Sequence, residues 1–180
     1  MSNLYEKQLS REIIYDGKVM RVVRDTVELP NGDTSVREIC QNTGAVAIIP
    51  LLDDGRVIME RQYRYAHERV FFEIPAGKLD SPDEPHLDAA MRELREETGA
   101  VAKKYTYLGR IDPSPAIFNE KIYLYLAEGL SFTERELDED EFIDTETVPL
   151  TELYDMVMNG EICDSKTQIA VLKVYNMKKG

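Results

Sequence analysis

Residues 73–100 read EIPAGKLDSPDEPHLDAAMRELREETGA, and this stretch organises the rest of the chain. An apolar segment at residues 70–74 predicts a strand that runs into it. The strand breaks at Pro75-Ala76-Gly77, and a helix is predicted to follow. Gly99 ends the predicted helix, because glycine readily takes the left-handed conformation found just after many helices.

The predicted helix has two alternative starting points. Ser81-Pro82-Asp83-Glu84 has the spacing of a capping box with proline at the first helical position. Pro85 offers a rival start, with Glu84 at or beside the cap. Apolar and small residues recur at spacings of three and four and predict the buried stripe: Leu87, Ala90, Met91, Leu94 and Thr98.

Three glutamates lie near the C-terminal end of this helix. At about 100° per residue, Glu93 and Glu97 share one ridge beside the buried stripe, with Glu96 next to them. Arg92 is placed to pair with Glu96. Like charges so close together repel each other unless a hard divalent cation such as Mg²⁺ lies among them. A solvated helix face is the alternative, and it is the commoner outcome for such a string taken alone.

The order of residues around the glutamates resembles the signature of the Nudix hydrolases. That signature is a glycine, five residues, a glutamate, seven residues, and then arginine-glutamate-aliphatic-any-glutamate-glutamate-any-glycine-aliphatic. Gly77, Glu84 and residues 92–100 match it, with Gly77, Glu84 and Gly99 in structural roles and Gly77 expected to allow a tight turn. The chain departs in one place, since six residues separate Gly77 from Glu84. The extra residue falls in the loop at Ser81-Pro82, where an insertion costs little.

The resemblance implies a Mg²⁺ site, with Mn²⁺ able to substitute. It assigns the metal ligands to Glu93, Glu97 and the carbonyl of Ala76, and it makes Glu96 a further ligand or the neighbour of one. Arg92 orients the glutamates, so Arg92 and Glu96 are counted with the catalytic residues. Cations that neutralise charge on phosphate oxygens, together with a base that orients water, lower the barrier to splitting a pyrophosphate.

Further features resemble the Nudix subfamily that cleaves ADP-ribose. Pro115 lies fifteen residues past Ala100, where that subfamily carries a proline. The resemblance covers residues 20–178 and includes the acidic run at residues 134–141. In that subfamily this loop covers the metal site, which makes Glu141 a further ligand and Glu139 a candidate general base. A plain solvated loop is the alternative for Glu139.

The candidate substrate contacts are Arg37, Arg64, Glu73 and Pro115. Arg64 precedes the signature and is placed to meet phosphate, whereas Arg61 is either a second phosphate contact or a solvated surface residue. By resemblance, Glu73 would hydrogen-bond the terminal ribose. Arg37 would reach substrate, across a dimer interface, or would instead pair with neighbours of Glu38.

Composition excludes several classes of protein. The chain has 180 residues, enough for a full core and a small extra sheet. Its 34 acidic and 22 basic residues give a net charge of −12, which disfavours nucleic acids and anionic membranes as partners. Cys40 and Cys163 lack metal-type spacing and are expected to be reduced thiols of a cytoplasmic protein. Neither a signal peptide nor a membrane span is expected, because no segment approaches about 20 apolar residues.

Residues 1–43 predict an antiparallel region beside a main domain at residues 44–180. Its predicted elements are a loose leader at residues 1–8, strands at residues 11–15, 19–29 and 34–41, and a hairpin turn at Pro30-Asn31-Gly32-Asp33. A few strands cover themselves poorly. The resemblance implies that they are exchanged between the subunits of a homodimer and help to bind adenine.

The main domain is expected to be α+β. Residues 44–52 are almost continuously apolar and predict a central strand. Further strands are predicted at residues 56–63, 105–111, 121–128 and 142–148, a stiff loop at residues 112–120, and a helix at residues 150–158. A last helix, capped by Ser165 and Gln168, carries Ile169, Leu172 and Tyr175. This order fits the α/β/α sandwich with a mixed sheet that the Nudix resemblance implies.

The leading hypothesis is a homodimeric Mg²⁺-dependent hydrolase that converts ADP-ribose into AMP and ribose 5-phosphate. Hydrolysis of other nucleoside diphosphate sugars, or of a broad range of them, is the alternative, since pocket contacts decide discrimination. A ligand sensor of the same fold without catalysis is a third hypothesis. It is disfavoured because such proteins usually lose signature glutamates, and Glu93, Glu96 and Glu97 are all present.

Overall fold

The computed structural model describes residues 3–179, which fall into two units. The first unit contains Met1–Gly44 and Asp112–Lys121, and the second contains Ala45–Ile111 and Ile122–Gly180. Each unit has a sheet of its own. The contacts therefore group residues 112–121 with the N-terminal region, whereas the division expected from the sequence leaves them in the main domain.

The sheet in the described part of the first unit is antiparallel and consists of β1 (Lys7–Asp16), β2 (Arg21–Glu28) and β3 (Thr34–Gln41). The predicted turn between β2 and β3 is confirmed, because Leu29 N donates to Asp33 O at 2.8 Å. The expectation of a loose leader is wrong for its last residues, since Lys7 pairs with Glu28 in the strand ladder. Residues 1 and 2 of that leader lie outside the described residues.

β1 is exposed along its whole length in this single chain. Leu9, Ile13 and Tyr15 are large apolar side chains on it, with 47%, 54% and 55% of their surface exposed. Asp25 of β2 is buried, and Arg11 bonds both of its carboxylate oxygens at 2.7 Å. The Arg11 hydrogen bonds hold the pKa of Asp25 below its usual value. The sheet is thus tied together by a buried carboxylate but leaves apolar side chains uncovered.

Asp112–Lys121 joins the first unit through main-chain hydrogen bonds to β3. Cys40 N donates to Ile117 O at 2.8 Å, and Asn119 N donates to Cys40 O at 3.2 Å. Within the segment, Phe118 N donates to Ser114 O at 2.9 Å and forms a turn. The second half of the segment expected to be a stiff loop is therefore hydrogen-bonded to β3.

The second unit contains a mixed sheet with the path β10-β5-β4-β9-β8, with β6 beside β5 and β7 beside β4. The strands are β4 (Ala45–Leu51), β5 (Arg56–Arg64), β6 (Arg69–Glu73), β7 (Ala76–Lys78), β8 (Ala100–Ile111), β9 (Ile122–Phe132) and β10 (Ile143–Pro149). The prediction of a central β4 is confirmed. It runs parallel to β9, whereas the other pairings are antiparallel.

Helices cover both faces of this sheet: α1 (His86–Thr98), α2 (Leu150–Met158) and α3 (Ser165–Lys179), with a 3₁₀ turn at Tyr65–His67. Alternate side chains of β4 point to opposite faces. Ala47 and Ile49 pack with buried residues of α2 and α3, whereas Val46 and Ile48 pack with buried residues of α1. The predicted α/β/α sandwich is therefore confirmed in this unit.

The start and the buried side of α1 differ from the prediction. The helix begins at His86 after Pro85, so the rival start is the better one, and no side chain caps it. Glu84 instead accepts a hydrogen bond from Asp80 N at 2.6 Å. Leu87 and Met91, expected in the buried stripe, are 39% and 45% exposed. The buried residues are Ala89, Ala90, Glu93, Leu94 and Glu97, because the helix is rotated so that two carboxylates face inward.

The cap of α3 also differs from the prediction. Asp164 rather than Ser165 caps the helix, since its Oδ2 accepts from Thr167 N at 2.9 Å. Gln168 Nε2 donates to Ile162 O and takes no part in a capping box. The fully buried apolar residues are Ala170, Val171 and Val174, while Ile169, Leu172 and Tyr175 are partly buried. None of the helices between residues 3 and 179 is long and apolar enough to cross a membrane.

Candidate active site

A cavity of about 320 Å³ lies where β7, α1 and the loop between β9 and β10 approach one another. Its lining residues are Arg64, Ala76, Gly77, Lys78, Asp80, Arg92, Glu93, Glu96, Asp138 and Glu141. Seven of these are site residues expected from the sequence: Arg64, Ala76, Gly77, Arg92, Glu93, Glu96 and Glu141. The fold thus brings signature residues, one arginine from β5 and part of the acidic loop to one place.

Glu93 and Glu97 lie one helical turn apart on the inner side of α1. They are 8% and 2% exposed. Ala76 N donates to Glu97 Oε2 at 2.9 Å, which joins the helix to β7. Two carboxylates are therefore held next to the backbone of Ala76, the segment expected to share a metal with them.

Glycine is required at position 77 because a side chain has no room there, and not because of the backbone conformation. Gly77 lies in β7 and is not among the described glycines with positive φ, so the expected tight turn is not observed there. A Cβ on Gly77 would lie 1.9 Å from Glu93 Cδ and 2.1 Å from each Glu93 carboxylate oxygen. Contacts between non-bonded carbon atoms are normally about 3.5–4.0 Å. Only a residue without a side chain leaves room for the Glu93 carboxylate.

Arg92 connects the acidic side chains at the rim of the cavity. Its Nη1 donates to Glu93 Oε1 at 2.7 Å and to Glu96 Oε2 at 3.2 Å, so the predicted pairing with Glu96 is observed. Its Nη2 donates to Lys78 O at 3.2 Å and reaches Glu84 Oε1 at 3.4 Å. These contacts connect Glu93 and Glu96 to β7, and the orienting role of Arg92 stays a prediction.

The carboxyl groups at this site hold protons more tightly than usual. Burial, partly offset by Arg92, raises the pKa of Glu93 to about 7. Burial also raises the pKa of Glu97, and the nearby carboxylates of Glu60, Glu93 and Glu141 raise it further. Each of these effects disfavours the negative charge. A cation bound among the carboxylates would favour it again.

The oxygen ligands available at this site suit a hard divalent cation, although they do not yet surround a single point. Among residues 3–179, no three His, Cys, Asp or Glu side chains converge closely enough to form a ready-made metal site. Glu93 faces Arg92, and Glu97 faces Ala76 N. Clustered carboxylate oxygens and a main-chain carbonyl are nevertheless the ligands that Mg²⁺ prefers, and Glu97 is buried beside other carboxylates. A cation would compete with Arg92 for Glu93.

The acidic loop is attached to the end of α1 at its beginning and reaches the cavity further on. Thr133 N donates to Gly99 O at 2.7 Å, and Glu136 N donates to Glu96 O at 3.1 Å. Past these bonds, Asp138 and Glu141 line the cavity, whereas Glu139 is exposed and is not among the lining residues. Of the two candidate residues of this loop, Glu141 therefore lies at the cavity and Glu139 does not.

Arg64 and Arg61 have different surroundings. Arg64 lines the cavity, and its Nε donates to Glu73 Oε1 at 2.7 Å. Lys166 bonds the other oxygen of Glu73, which is 2% exposed. A ribose hydroxyl that donates to Glu73 would compete with these contacts. Arg61 pairs with Glu146 at 2.7 Å on an exposed part of the surface. This placement agrees with the alternative that Arg61 is a solvated surface residue.

Arg37 and Pro115 belong to the first unit. Arg37 bonds both carboxylate oxygens of Glu6, at 2.9 and 2.6 Å, and its Nη1 donates to Ser35 Oγ at 3.0 Å. The ion pair is thus with Glu6 and not with the neighbours of Glu38. Any contact of Arg37 with substrate stays a prediction.

Sequence reasoning missed several charged residues near the cavity. Lys78, Asp80 and Asp138 line it, and Glu60 and Lys166 are buried ionisable residues close to Glu73. Glu60 could have been noticed, because it continues the apolar run Val57-Ile58-Met59 of a central strand. Lys166 gave no comparable signal, since a lysine in the first turn of a helix is usually exposed.

Comparison with known proteins decides the family. A model described as NUDIX domain matches residues 41–166. The chain belongs to the Nudix family. A second model, the nucleoside diphosphate sugar hydrolase N-terminal domain, matches residues 6–39. The Nudix resemblance drawn from the signature is thus confirmed, and members of this family typically depend on a divalent metal ion.

Individual relatives cover nearly the whole chain. An ADP-ribose pyrophosphatase of Bacillus subtilis is 44% identical over 173 residues, which are 95% of this chain and 93% of that protein. A methanol dehydrogenase activator of Bacillus methanolicus is 43% identical over 174 residues, with 95% and 94% covered. A crystal structure of an ADP compounds hydrolase superposes with a TM-score of 0.87 at 26% identity, covering 100% of this chain and 98% of that one.

Proposed function

We propose that this Nudix hydrolase splits the pyrophosphate bond of ADP-ribose to give AMP and ribose 5-phosphate, with Mg²⁺ as the working metal. The relative from B. subtilis bears the name of that activity. The match of residues 6–39 to a domain of nucleoside diphosphate sugar hydrolases supports the substrate class. An anionic substrate needs local positive charge, since the chain carries a net charge of −12.

One observation carries the proposal: Arg64, Ala76 and Glu93 line one cavity, and the buried Glu97 is joined to that cavity wall by the hydrogen bond from Ala76 N. The carboxylates supply oxygen ligands for a cation, and the guanidinium supplies N–H donors for phosphate. A cation and N–H donors close to the same phosphorus both stabilise the negative charge that builds up on its oxygens during hydrolysis.

The metal would be held by Glu93, Glu97 and the carbonyl of Ala76, with Glu96 and Glu141 as further candidates. Bound there, Mg²⁺ would neutralise charge on the phosphate oxygens and lower the pKa of water. Arg92 keeps Glu93 and Glu96 turned toward β7. Gly77 provides the space that the Glu93 carboxylate occupies.

The general base is proposed to belong to the acidic loop or to α1. Glu139 is exposed in this structure, so it would act only after the loop had moved. Glu141 lines the cavity already, and Asp138 does so beside it. Glu96 is half-buried next to Arg92 and is the candidate on the helix.

The first unit is proposed to serve dimerisation and adenine binding, with a division near residue 43 between it and the Nudix hydrolase domain. The exposed apolar side chains of β1 support an exchange of strands in a homodimer, because monomers seldom leave so much apolar surface uncovered. Arg37 and Pro115 are proposed substrate contacts of this unit. Glu73 is proposed to meet the terminal ribose, in competition with its ion pairs to Arg64 and Lys166.

The test is a product assay with purified protein. ADP-ribose, ADP-mannose, GDP-mannose, NADH and a nucleoside triphosphate are each incubated with and without Mg²⁺, and the products are identified. We expect AMP and ribose 5-phosphate to form fastest, and only with the metal. Faster turnover of another nucleoside diphosphate sugar would contradict the choice of ADP-ribose and support the alternative substrates. Binding without any turnover would favour the sensor hypothesis.

A further inference from the structure

A chain of buried charges links the first turn of α3 to the cavity. Asp164 Oδ2 lies 3.1 Å from Lys166 Nζ, and Lys166 Nζ bonds Glu73 Oε2. Glu73 Oε1 accepts from Arg64 Nε at 2.7 Å. The side chains of Asp164, Lys166 and Glu73 are 16%, 11% and 3% exposed, whereas that of Arg64 is 38% exposed. The series thus runs from the partly buried Asp164 through the buried Lys166 and Glu73 to Arg64 at the cavity wall.

Two hydrogen bonds of the Thr167 hydroxyl hold the same helical turn in place. Thr167 Oγ1 donates to Asp164 Oδ2 at 2.6 Å and accepts from Ile74 N at 3.0 Å. Thr167 is fully buried, so these bonds are shielded from water. Ile74 directly precedes the Pro75-Ala76-Gly77 segment. The first turn of α3 is therefore fixed to the strand that leads into the signature.

We propose that Lys166 is a positioning residue for phosphate binding, acting through Glu73 on the guanidinium of Arg64. A guanidinium has five N–H donors in one plane, and the bond to Glu73 uses the one on Nε. Fixing Nε turns the Nη edge of the guanidinium in one direction. Since Arg64 lines the cavity, that edge is the part that meets a diphosphate. The inference rests on the proposed function.

Lys166 matters because it shares the buried carboxylate of Glu73 with Arg64. The residue directly opposite Glu73 in the pairing of β5 with β6 is the buried Glu60, which offers no positive charge. Without Lys166, Arg64 would be the nearest cation to Glu73, and the attraction would draw its guanidinium inward. Arg64 would then present fewer donors to a phosphate. The loss would appear in substrate binding more than in the chemical step.

The experiment compares Lys166→Met with the wild type by steady-state kinetics on ADP-ribose and by calorimetric binding of ADP in the presence of Mg²⁺. We expect a rise in KM and in the Kd for ADP of about tenfold, with kcat within about threefold, because lost uniform binding raises KM alone. Lys166→Arg, which keeps a cation, should restore most of the binding. Lys178→Met is the matched control, since Lys178 lies on the same helix and pairs with Glu128 near the surface. It should leave both values unchanged.

A double-mutant cycle with Arg64→Met separates positioning from a general structural effect. If Lys166 acts through Arg64, Lys166→Met should not weaken ADP binding further in the Arg64→Met background. Equal effects in both backgrounds, or a fall in kcat without a rise in KM, would overturn the proposal. Should Lys166→Met fail to fold, Lys166→Gln takes its place in the same cycle. ADP binding tests the chain of charges even if ADP-ribose is not the substrate, so the two proposals can fail separately.

Discussion

Replacing Gly77 by alanine tests the most tightly packed contact of the site. The added Cβ would lie 1.9 Å from Glu93 Cδ, about 2 Å closer than two carbon atoms normally approach. The Glu93 carboxylate cannot keep its position. Overpacking of this kind costs typically about 1–3 kcal/mol of stability. Misplacing a reacting group by about 1 Å costs roughly 10²-fold in rate, so we expect Gly77→Ala to lower kcat by at least about that factor.

The assay is hydrolysis of ADP-ribose at saturating Mg²⁺, with the fraction of folded protein measured by urea unfolding. Gly160→Ala is the control. Gly160 has a φ of 78° and no atom within 4 Å of its Cβ position, so alanine there is strained without touching the site. The strain of a left-handed alanine is about 1–2 kcal/mol, close to the cost expected for Gly77→Ala. Gly160→Ala should keep its kcat. A Gly77→Ala enzyme with kcat within threefold of wild type would refute the placement of Glu93.

Three further predictions concern single charges. Glu97→Gln should abolish turnover, and turnover in a folded variant would contradict the metal role. The metal-free variant should unfold at no lower urea concentration than wild type, because burial raises the pKa of Glu97 to about 10 and the wild-type side chain must take up a proton to fold at neutral pH, whereas glutamine is already uncharged. The pKa of Glu93 is raised from 4.5 to about 7 in the folded protein, so the metal-free wild type should lose stability relative to Glu93→Gln as the pH rises between these values. Urea titrations at pH 5 and 7.5 measure this loss, and an equal stability difference at both pH values would exclude it. Arg11→Met should destabilise the first unit at neutral pH. The stability difference between this variant and wild type should shrink below pH 3.8, as Asp25 takes up its proton. A stability difference that persists in acid would show that the ion pair is not its cause.

The course of the chain was largely predictable from local patterns. The apolar run of β4, the boundaries of α2 and the hairpin turn before β3 follow from residues close together in sequence. The start of α1 was ambiguous, because proline and capping residues occur at two neighbouring places. Its buried face was misjudged, because periodicity favours Leu87 and Met91 over glutamates as buried residues. Packing against β4 and β7 selected Glu93 and Glu97 instead.

The candidate site was predictable where the signature names residues and unpredictable where distant segments meet. Gly77, Arg92 and Glu93 lie within one stretch, and the pairing of Arg92 with Glu96 follows from helix geometry. Lys166 lies 93 positions from Glu73, and nothing local relates the two. Arg37 could be placed on its strand, but its ion pair with Glu6 depends on the register between β1, β2 and β3.

The sequence by itself determined the family, the catalytic helix and the order of strands, because short-range periodicity and one signature carry that information. The tertiary structure alone decided which ionisable side chains became buried. Glu60, Glu73 and Lys166 lie on separate segments, and only the packing of α3 against the sheet takes them out of water together. Such burial depends on long-range contacts, because Glu73 and Lys166 leave water as an ion pair between distant segments. Glu60, whose Oε1 has no hydrogen-bond partner, has its pKa raised to about 8 by burial instead.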